Sequence, residues 1–326
     1  MHAIRLHEFG PAINLVLDEL PELDPAPGQV RISVEASGVH LIDTSIRRGE
    51  SGPIDLPTLP TIPGREVAGV VDRVGDGVDG SWVGRRVAAH LGPVPGGYAD
   101  QAATDIANLI PVPSHVAFPD AIAAIGTGRT ALGVLELEPP SAEDTVLVPS
   151  AAGGLGWLLV QSALKTGAQV VAAAGGPERT SVLAQLGATL VVDYARTDWA
   201  EQVRAAVGDV SLVYDGVGGP VGRAGLDLLR PGGRLVMFGF SSGTPTYLDS
   251  ADLVGRGISA GWSLGPRLFG LPGGIHRLAT QALERVASRE WWPLVTTYPL
   301  VDAARAHLDL EQRRALGKVV LVSERD

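Results

Sequence analysis

The segment Val146-Leu147-Val148-Pro149-Ser150-Ala151-Ala152-Gly153-Gly154-Leu155-Gly156 constrains the fold of this chain more than any other. A short apolar run leads into a glycine cluster, and a run suited to a helix follows, Trp157-Leu158-Leu159-Val160-Gln161-Ser162-Ala163-Leu164-Lys165. Strand, tight turn and helix in that order make a phosphate cradle. Missing side chains let the backbone approach a pyrophosphate, and the helix N-terminus directs free N–H groups and the positive end of its dipole at it. The pattern is a variant of G-x-G-x-x-G, with Ala151 in the first glycine position and Gly153 and Gly156 in the other two. Glycine turns also arise for packing alone, so the context decides.

That context is a regular alternation. Gln169–Ala174 reads as a second strand, Glu178–Leu186 as a helix closed by Gly187, and Thr189–Asp193 as a third strand. A helix from Asp198 to Val207, a fourth strand Val210–Asp215 and a helix around Val221–Leu229 follow. Arg234–Gly239 is a fifth strand and Ile258–Trp262 a sixth. Short apolar strands alternating with helices predict a doubly wound parallel sheet covered on both faces. With the glycine turn after the first strand, this is the Rossmann arrangement.

Residues 1–118 have another texture. Short β-like runs (Ala3–Leu6, Gln29–Ala36, Val67–Val74, Arg86–His90) are separated by turn signals such as Pro27-Gly28, Gly75-Asp76-Gly77 and Gly96-Gly97. They predict a partly open β-barrel. After residue 264 come helices over Ile275–Ser288 and Val301–Leu310 and a final strand, Lys318–Val322. That strand is expected to return to the β domain, giving a discontinuous domain of residues 1–118 and 265–326 around a nucleotide domain of residues 119–264.

Composition narrows the function. The net charge of −10 and the lack of a basic block leave no electrostatic footprint for nucleic acid. No apolar stretch approaches a membrane span. The start, Met1-His2-Ala3-Ile4-Arg5-Leu6, enters a strand at once and lacks a signal-peptide layout, so a cytoplasmic location is expected. Without cysteine there is no disulfide and no thiolate metal site.

Several motifs stand in a specific order: Gly38-Val39-His40-Leu41-Ile42-Asp43 with Arg47-Arg48-Gly49; Pro63-Gly64-Arg65-Glu66-Val67-Ala68-Gly69-Val70-Val71 with Val74-Gly75; and Gly96-Gly97-Tyr98-Ala99. Gly128-Arg129-Thr130-Ala131-Leu132, the glycine turn, Leu186-Gly187-Ala188, Asp215-Gly216-Val217-Gly218-Gly219 and Gly317-Lys318-Val319-Val320-Leu321 complete the set. In these motifs the chain resembles the medium-chain dehydrogenase/reductase superfamily, and within it the zinc-free, zeta-crystallin-like quinone oxidoreductase branch. The resemblance covers essentially the whole length. It implies a GroES-like β domain plus a Rossmann domain, an active site in the cleft between them, and a homodimer joined through the Rossmann domains.

Zinc relatives in this superfamily carry a Cys where this chain has His40 and a His where it has Arg65. Catalytic zinc needs three protein ligands and an open position. Here one candidate ligand sits beside a permanent guanidinium charge, and no cysteine-rich zinc lobe is present. His40 therefore reads as a polar contact in the cleft. Without a Lewis acid, acceptors that need little polarisation fit best, namely quinones and conjugated enones.

The cofactor is read from the second strand's end. An NAD site usually has an acid there for the ribose 2′-OH. This chain has Ala174-Gly175-Gly176-Pro177-Glu178-Arg179. Gly175 leaves room for a 2′-phosphate, and Arg179 either pairs with it as a charged fork or is a solvated side chain. The expected cofactor is NADPH. The backbone of Ala152, Gly153, Gly154, Leu155 and Gly156 is its phosphate cradle. The resemblance places Tyr194 near the adenosine phosphate, with a half-exposed tyrosine as the alternative. It places Lys318 near the cofactor phosphates, with a surface lysine as the alternative. Gly239, Phe240 and Ser241 are the expected wall beside the nicotinamide.

His40, Asp43 and Thr44 are expected to face the nicotinamide from the β domain. Related quinone reductases often hold Asn at the His40 position and Tyr at the Ser45 position, and this chain departs at both. His40 either hydrogen-bonds the acceptor oxygen and donates a proton or holds a water. Asp43 is a cleft carboxylate or a helix cap. Thr127, for the cofactor, and Arg129, for the chemistry or as a structural pairing residue, are further candidates. The expected activity is NADPH-dependent reduction of a quinone or α,β-unsaturated carbonyl. The alternatives are an enoyl-thioester or alkenal reductase, and a non-catalytic NADPH-binding structural or sensor protein.

Overall fold

The computed structural model describes residues 1–52, 55–92 and 96–323. The chain forms two compact units, Met1–Thr127 with Ala279–Asp326, and Gly128–Leu278. The joins fall later in the chain than residues 118 and 264. One reason is that the helix Phe118–Ile122 packs on the strands Gln29–Val39 and Glu66–Val74, which keeps it in the first unit.

The first unit is built around the strand Gln29–Val39. Along one edge it pairs antiparallel with Glu66–Val74. Its other edge serves two partners, Gln101–Asp105 at the start and Lys318–Val322 at the end. Two register shifts against Glu66–Val74 bend the strand between them. A long strand that is bent and shared in this way curls the sheet into a partly open barrel. Val30, Ile32, Val34, Val67, Val71, Val87 and Ala89 fill one core. Ile4, Leu6, Tyr98, Val319 and Leu321 fill a second, closed by Ala303 and Ala306 of the helix Ala303–Glu311.

The pairing register decides which side chains meet. Val319 lies opposite Val39 and Val320 opposite Gly38. Lys318 is therefore carried to the level of His40, which caps the helix Leu41–Arg48. On the other side Ser37 lies opposite Val67, which brings Glu66 alongside Gly38.

The second unit is a six-stranded sheet in which every pair is parallel. Its order is Leu190–Asp193, Gln169–Ala174, Thr145–Val148, Val210–Asp215, Leu229–Met237, Ser259–Trp262. In sequence order this is 3-2-1-4-5-6, the order of dinucleotide-binding sheets. The order reverses between Thr145–Val148 and Val210–Asp215, and ligands bind at the carboxyl ends of the strands at such a reversal. Leu147, Val171, Ala173, Val210, Val213 and Leu235 are almost wholly buried, as strands covered on both faces require. Among the described residues no helix is long and apolar enough to cross a membrane.

Asp144 fastens the other end of this sheet. Its Oδ1 accepts from Ser211 Oγ at 2.6 Å, and its Oδ2 accepts from Ser141 N and from Arg234 Nη2, each at 2.8 Å. Burial pushes the carboxyl up, but these bonds outweigh it and hold its pKa at about 2. The folded pKa lies below that of an unfolded aspartate, so the stabilisation is complete above about pH 4 and is lost as the pH falls toward 2. Asp144→Asn is expected to lower the unfolding free energy by about 2 kcal/mol at neutral pH, the scale of charged hydrogen bonds. In denaturant titrations the gap to the parent should close as the pH falls below about 4.

Candidate active site

In the Rossmann unit, the strand Thr145–Val148 ends in a turn that leads into the helix Gly154–Lys165. A Cβ at Gly156 would lie 2.0 Å from Ser150 O and 3.0 Å from Ala151 Cα, so this glycine lets the helix sit against the turn. A Cβ at Gly153 would meet only Ser150 O, at 3.3 Å. A small side chain would fit there once Ser150 O gave way by a few tenths of an ångström, so Gly153 is far less enclosed than Gly156. The first turn of the helix presents N–H groups that have no intrahelical acceptor. Ser150 Oγ is buried and makes no hydrogen bond among the described residues. Open space, an N-terminal dipole and an unsatisfied hydroxyl together fit an anionic group such as a pyrophosphate. Ala152 and Leu155 lie in the same turn.

At the end of the second strand, Gly175 is needed because a Cβ there would come 2.7 Å from Tyr194 Cε2. Tyr194 thus lies against the Gly175-Gly176 turn, half-buried. Asp193 Oδ1 accepts from Gly176 N at 2.7 Å and from Ala195 N at 2.9 Å. An acid absent from the second strand is therefore supplied by the third, and it is committed to backbone N–H groups. Arg179 lies in the first turn of the helix Pro177–Leu183, partly buried.

Asp215 joins the loops after the fourth and fifth strands. It is fully buried, and its Oδ1 accepts from Val217 N at 2.8 Å and Gly218 N at 3.0 Å, while its Oδ2 accepts from Thr246 Oγ1. Ser241 N donates to Gly216 O at 3.1 Å and Ser242 N to Val217 O at 2.8 Å. Gly239, Phe240 and Ser241 are thereby held against Gly216, itself hemmed in by Phe238 and Ser150 Oγ. Ser150 and the Gly239–Ser241 loop share one region at the sheet's carboxyl edge.

In the GroES-like unit, His40 Nε2 lies 2.6 Å from Glu66 Oε2 and 2.8 Å from Lys318 Nζ. Lys318 Nζ also donates to Val39 O at 3.1 Å and lies 3.6 Å from Glu66 Oε2. Glu66 and Lys318 are almost wholly buried, whereas the His40 side chain is 28% exposed. This corrects two expectations. Lys318 is not a surface lysine, because the strand register turns its ammonium onto His40 and Glu66. The cation beside His40 is that ammonium. The Arg65 guanidinium pairs with Asp43, at 3.6 Å. A nitrogen and a carboxylate already facing an ammonium are a poor donor set for a metal ion.

Asp43 is buried and acts locally. Its Oδ2 accepts from His40 N at 2.8 Å and from Tyr98 Oη at 3.4 Å. Tyr98 Oη in turn meets His307 Nε2 at 3.1 Å. Burial drives the His307 pKa down to about 4 and raises that of Tyr98. Thr44 is fully buried, and its hydroxyl donates to Leu41 O at 2.7 Å. Thr127 is buried in the π-helical turn Ala123–Gly128, and Arg129 opens the helix Arg129–Leu137. Glu66 is the residue that sequence reasoning passed over. Its signal was an ionisable side chain at the head of the apolar run Val67-Ala68-Gly69-Val70-Val71, where burial demands a partner.

Comparison with known proteins follows the same division. The alcohol dehydrogenase GroES-like domain matches residues 26–114 and the zinc-binding dehydrogenase domain residues 154–279. A 2-haloacrylate reductase from a Burkholderia species is 31% identical, with 98% of each chain covered. Quinone oxidoreductase 1 of Escherichia coli is 30% identical, again with 98% of each chain covered. The crystal structure of Escherichia coli quinone oxidoreductase complexed with NADPH matches with a TM-score of 0.83 at 29% identity, covering 99% of this chain and 100% of that one. With the glycine cradle and the 3-2-1-4-5-6 sheet on one side and the shared, bent strand of the barrel on the other, these likenesses place the chain in the medium-chain dehydrogenase/reductase superfamily, as a member of its quinone oxidoreductase branch.

Proposed function

We propose that this enzyme is an NADPH-dependent reductase that passes hydride to a quinone or an α,β-unsaturated carbonyl acceptor without a metal ion. The observation that carries the reading is the cradle at the sheet reversal, where Gly153 opens space in front of a helix N-terminus and beside the unsatisfied Ser150 hydroxyl. When bound, NADPH supplies the hydride.

The chain's own residues do the rest. The backbone from Ala152 to Gly156 holds the pyrophosphate by N–H groups and the helix dipole. Gly175 leaves room for the 2′-phosphate beside Tyr194, and Arg179 pairs with it. Asp193 does not oppose this arrangement, because its carboxylate is already bonded to Gly176 N and Ala195 N. Gly239, Phe240 and Ser241 flank the nicotinamide, with Thr127 and Arg129 as further contacts. His40 hydrogen-bonds the acceptor oxygen and supplies the proton that accompanies the hydride. A quinone or enone needs no Lewis acid, which suits a site whose local cation is an ammonium. The relatives named for quinones and for a haloacrylate support acceptors conjugated to a carbonyl group.

The strand Ser259–Trp262 ends the parallel sheet, and its outer edge has no partner among the described residues. Edge strands of this kind pair readily, which supports a homodimer joined through the Rossmann unit. Light scattering coupled to size exclusion should give twice the chain mass, and a monomer at micromolar concentration would refute the dimer.

The central test mixes the enzyme with NADPH and follows its absorbance as each member of a panel of quinones and enones is added. Oxidation on addition of an acceptor is the expected result. Cofactor binding without turnover across the panel would favour a sensor. NADPH should bind more tightly than NADH, and Arg179→Ala should remove about 1–3 kcal/mol of that preference, the range for a charged hydrogen bond. Equal binding of the two cofactors by the parent would reject the 2′-phosphate reading.

The two cradle glycines should separate fold from binding. Gly153→Val should keep the parent circular dichroism spectrum and lose NADPH binding. Gly156→Ala, with its Cβ driven toward Ser150 O, should lower the melting temperature whether or not the cofactor is present. Retained NADPH affinity in Gly153→Val would put the phosphates elsewhere.

A further inference from the structure

His40 Nε2 faces two buried groups with opposite needs. An imidazole nitrogen offers one in-plane position, either an N–H or a lone pair. An ionised Glu66 requires a donor there, at 2.6 Å, and an ammonium on Lys318 requires an acceptor there, at 2.8 Å. A single protonation state of the ring cannot satisfy both. Glu66 is 1% exposed and Lys318 4%, so water cannot take over either partner. The backbone closes over the pair as well. A Cβ at Gly38 would lie 2.6 Å from Glu66 Oε2 and 3.2 Å from Lys318 Nζ, and one at Gly126 would lie 2.2 Å from Glu66 Oε2. Two glycines from different elements are thus required for the ring, the carboxyl and the ammonium to stand together. His40 is the one member with exposed surface, and both of its side-chain partners take Nε2.

We propose that Glu66 and Lys318 are positioning residues that hold His40 by Nε2 and return a proton to it there, which makes Nδ1 the atom that gives the proton to the acceptor. The inference rests on the reductase reading above and adds two residues to it. Before transfer, Lys318 Nζ donates to Nε2, and Nδ1 carries the proton. As hydride reaches the acceptor, the Nδ1–H bond breaks and a new bond to the acceptor forms. A proton moves from Nζ to Nε2 in the same step. The ring is then neutral with Nε2–H donating to ionised Glu66; solvent reprotonates the exposed ring at Nδ1, and the Nε2 proton passes back to the buried Lys318 amine. The acceptor gains two electrons and one hydrogen from the hydride and one proton from His40. The other charged groups around the cluster are Asp43, which binds His40 N, Arg65, which pairs with Asp43, and His90, opposite Glu66 on the neighbouring strand.

The test uses Glu66→Gln, Lys318→Met and the double variant, which removes both buried charges and so avoids leaving either unpaired. Two readouts are taken on the full chain. The first is the pH titration of the His40 ring by NMR, which needs no turnover. It should move to lower pH in Glu66→Gln, where a favourable negative charge is lost, and to higher pH in Lys318→Met. The second is NADPH oxidation with the best acceptor of the panel. Lys318→Met should lower kcat about 10- to 100-fold, toward the lower end of what proton transfer contributes. KM and the NADPH Kd should stay as in the parent, whereas a purely structural role would lower affinity along with kcat. Unchanged titration in all three variants overturns the proposal, as does a full kcat in Lys318→Met. If the parent turns over no acceptor, the reductase reading fails by itself, and the titration still decides whether the three groups share a proton.

Discussion

The helix Gly154–Lys165 touches the turn that precedes it so closely that position 156 has no space for a side chain, and a Cβ there would sit 2.0 Å from Ser150 O. This approach sets the height of the helix above the sheet and aims its N-terminus across the carboxyl end of the strand Thr145–Val148. The loops around it are fixed with comparable economy. Asp215 binds the N–H groups of its own loop and the hydroxyl of Thr246, and Asp193 binds Gly176 N. Buried or half-buried carboxylates therefore shape the loops at the ligand-facing edge. An anion can approach because those charges are already spent on backbone donors.

The GroES-like unit solves a different problem, which is to hold two buried ionisable side chains, Glu66 and Lys318, against the part-exposed His40. Strand register does this. Val319 opposite Val39 and Val67 opposite Ser37 fix where Lys318, His40 and Glu66 fall. A slip of one residue would turn Lys318 to the other face of the sheet. The ammonium takes up charge near His40 in a superfamily whose zinc members use a metal at that place. Below it, Asp43, Tyr98 and His307 form a second buried chain that ends at His40 N. His307 is neutral there, since burial opposes its charged form.

The Rossmann unit was legible because its signals are local. A glycine turn after the first strand, apolar runs of four to six residues and capped helices report directly on backbone conformation, and the strands Gln169–Ala174 and Val210–Asp215 fall where the pattern places them. The barrel was less legible. The strands Gln101–Asp105 and Val295–Pro299 carry too few apolar residues to stand out, and they hold by long-range pairing. For the site, sequence pointed to His40 and to the cradle but could not show what the side chains bond. Thr44 looked available and is enclosed by its own helix. The resemblance set Lys318 near the cofactor phosphates, with a surface lysine as the alternative, and pairing with Gln29–Val39 turns it inward. Asp193 escaped notice because its partner lies seventeen residues away across two strands. In each case the missing information was a register or a burial, which no short window contains.

In the proposed reaction, hydride and proton reach the acceptor from different sources. NADPH deuterated at the transferring position of C4, used with a conjugated enone in ordinary water, separates them. Mass spectrometry and NMR of the product should find one deuterium at the β-carbon and a solvent-derived hydrogen at the α-carbon. A reduced product with no deuterium would mean that the hydride of NADPH is not delivered directly to the acceptor, and would contradict the account.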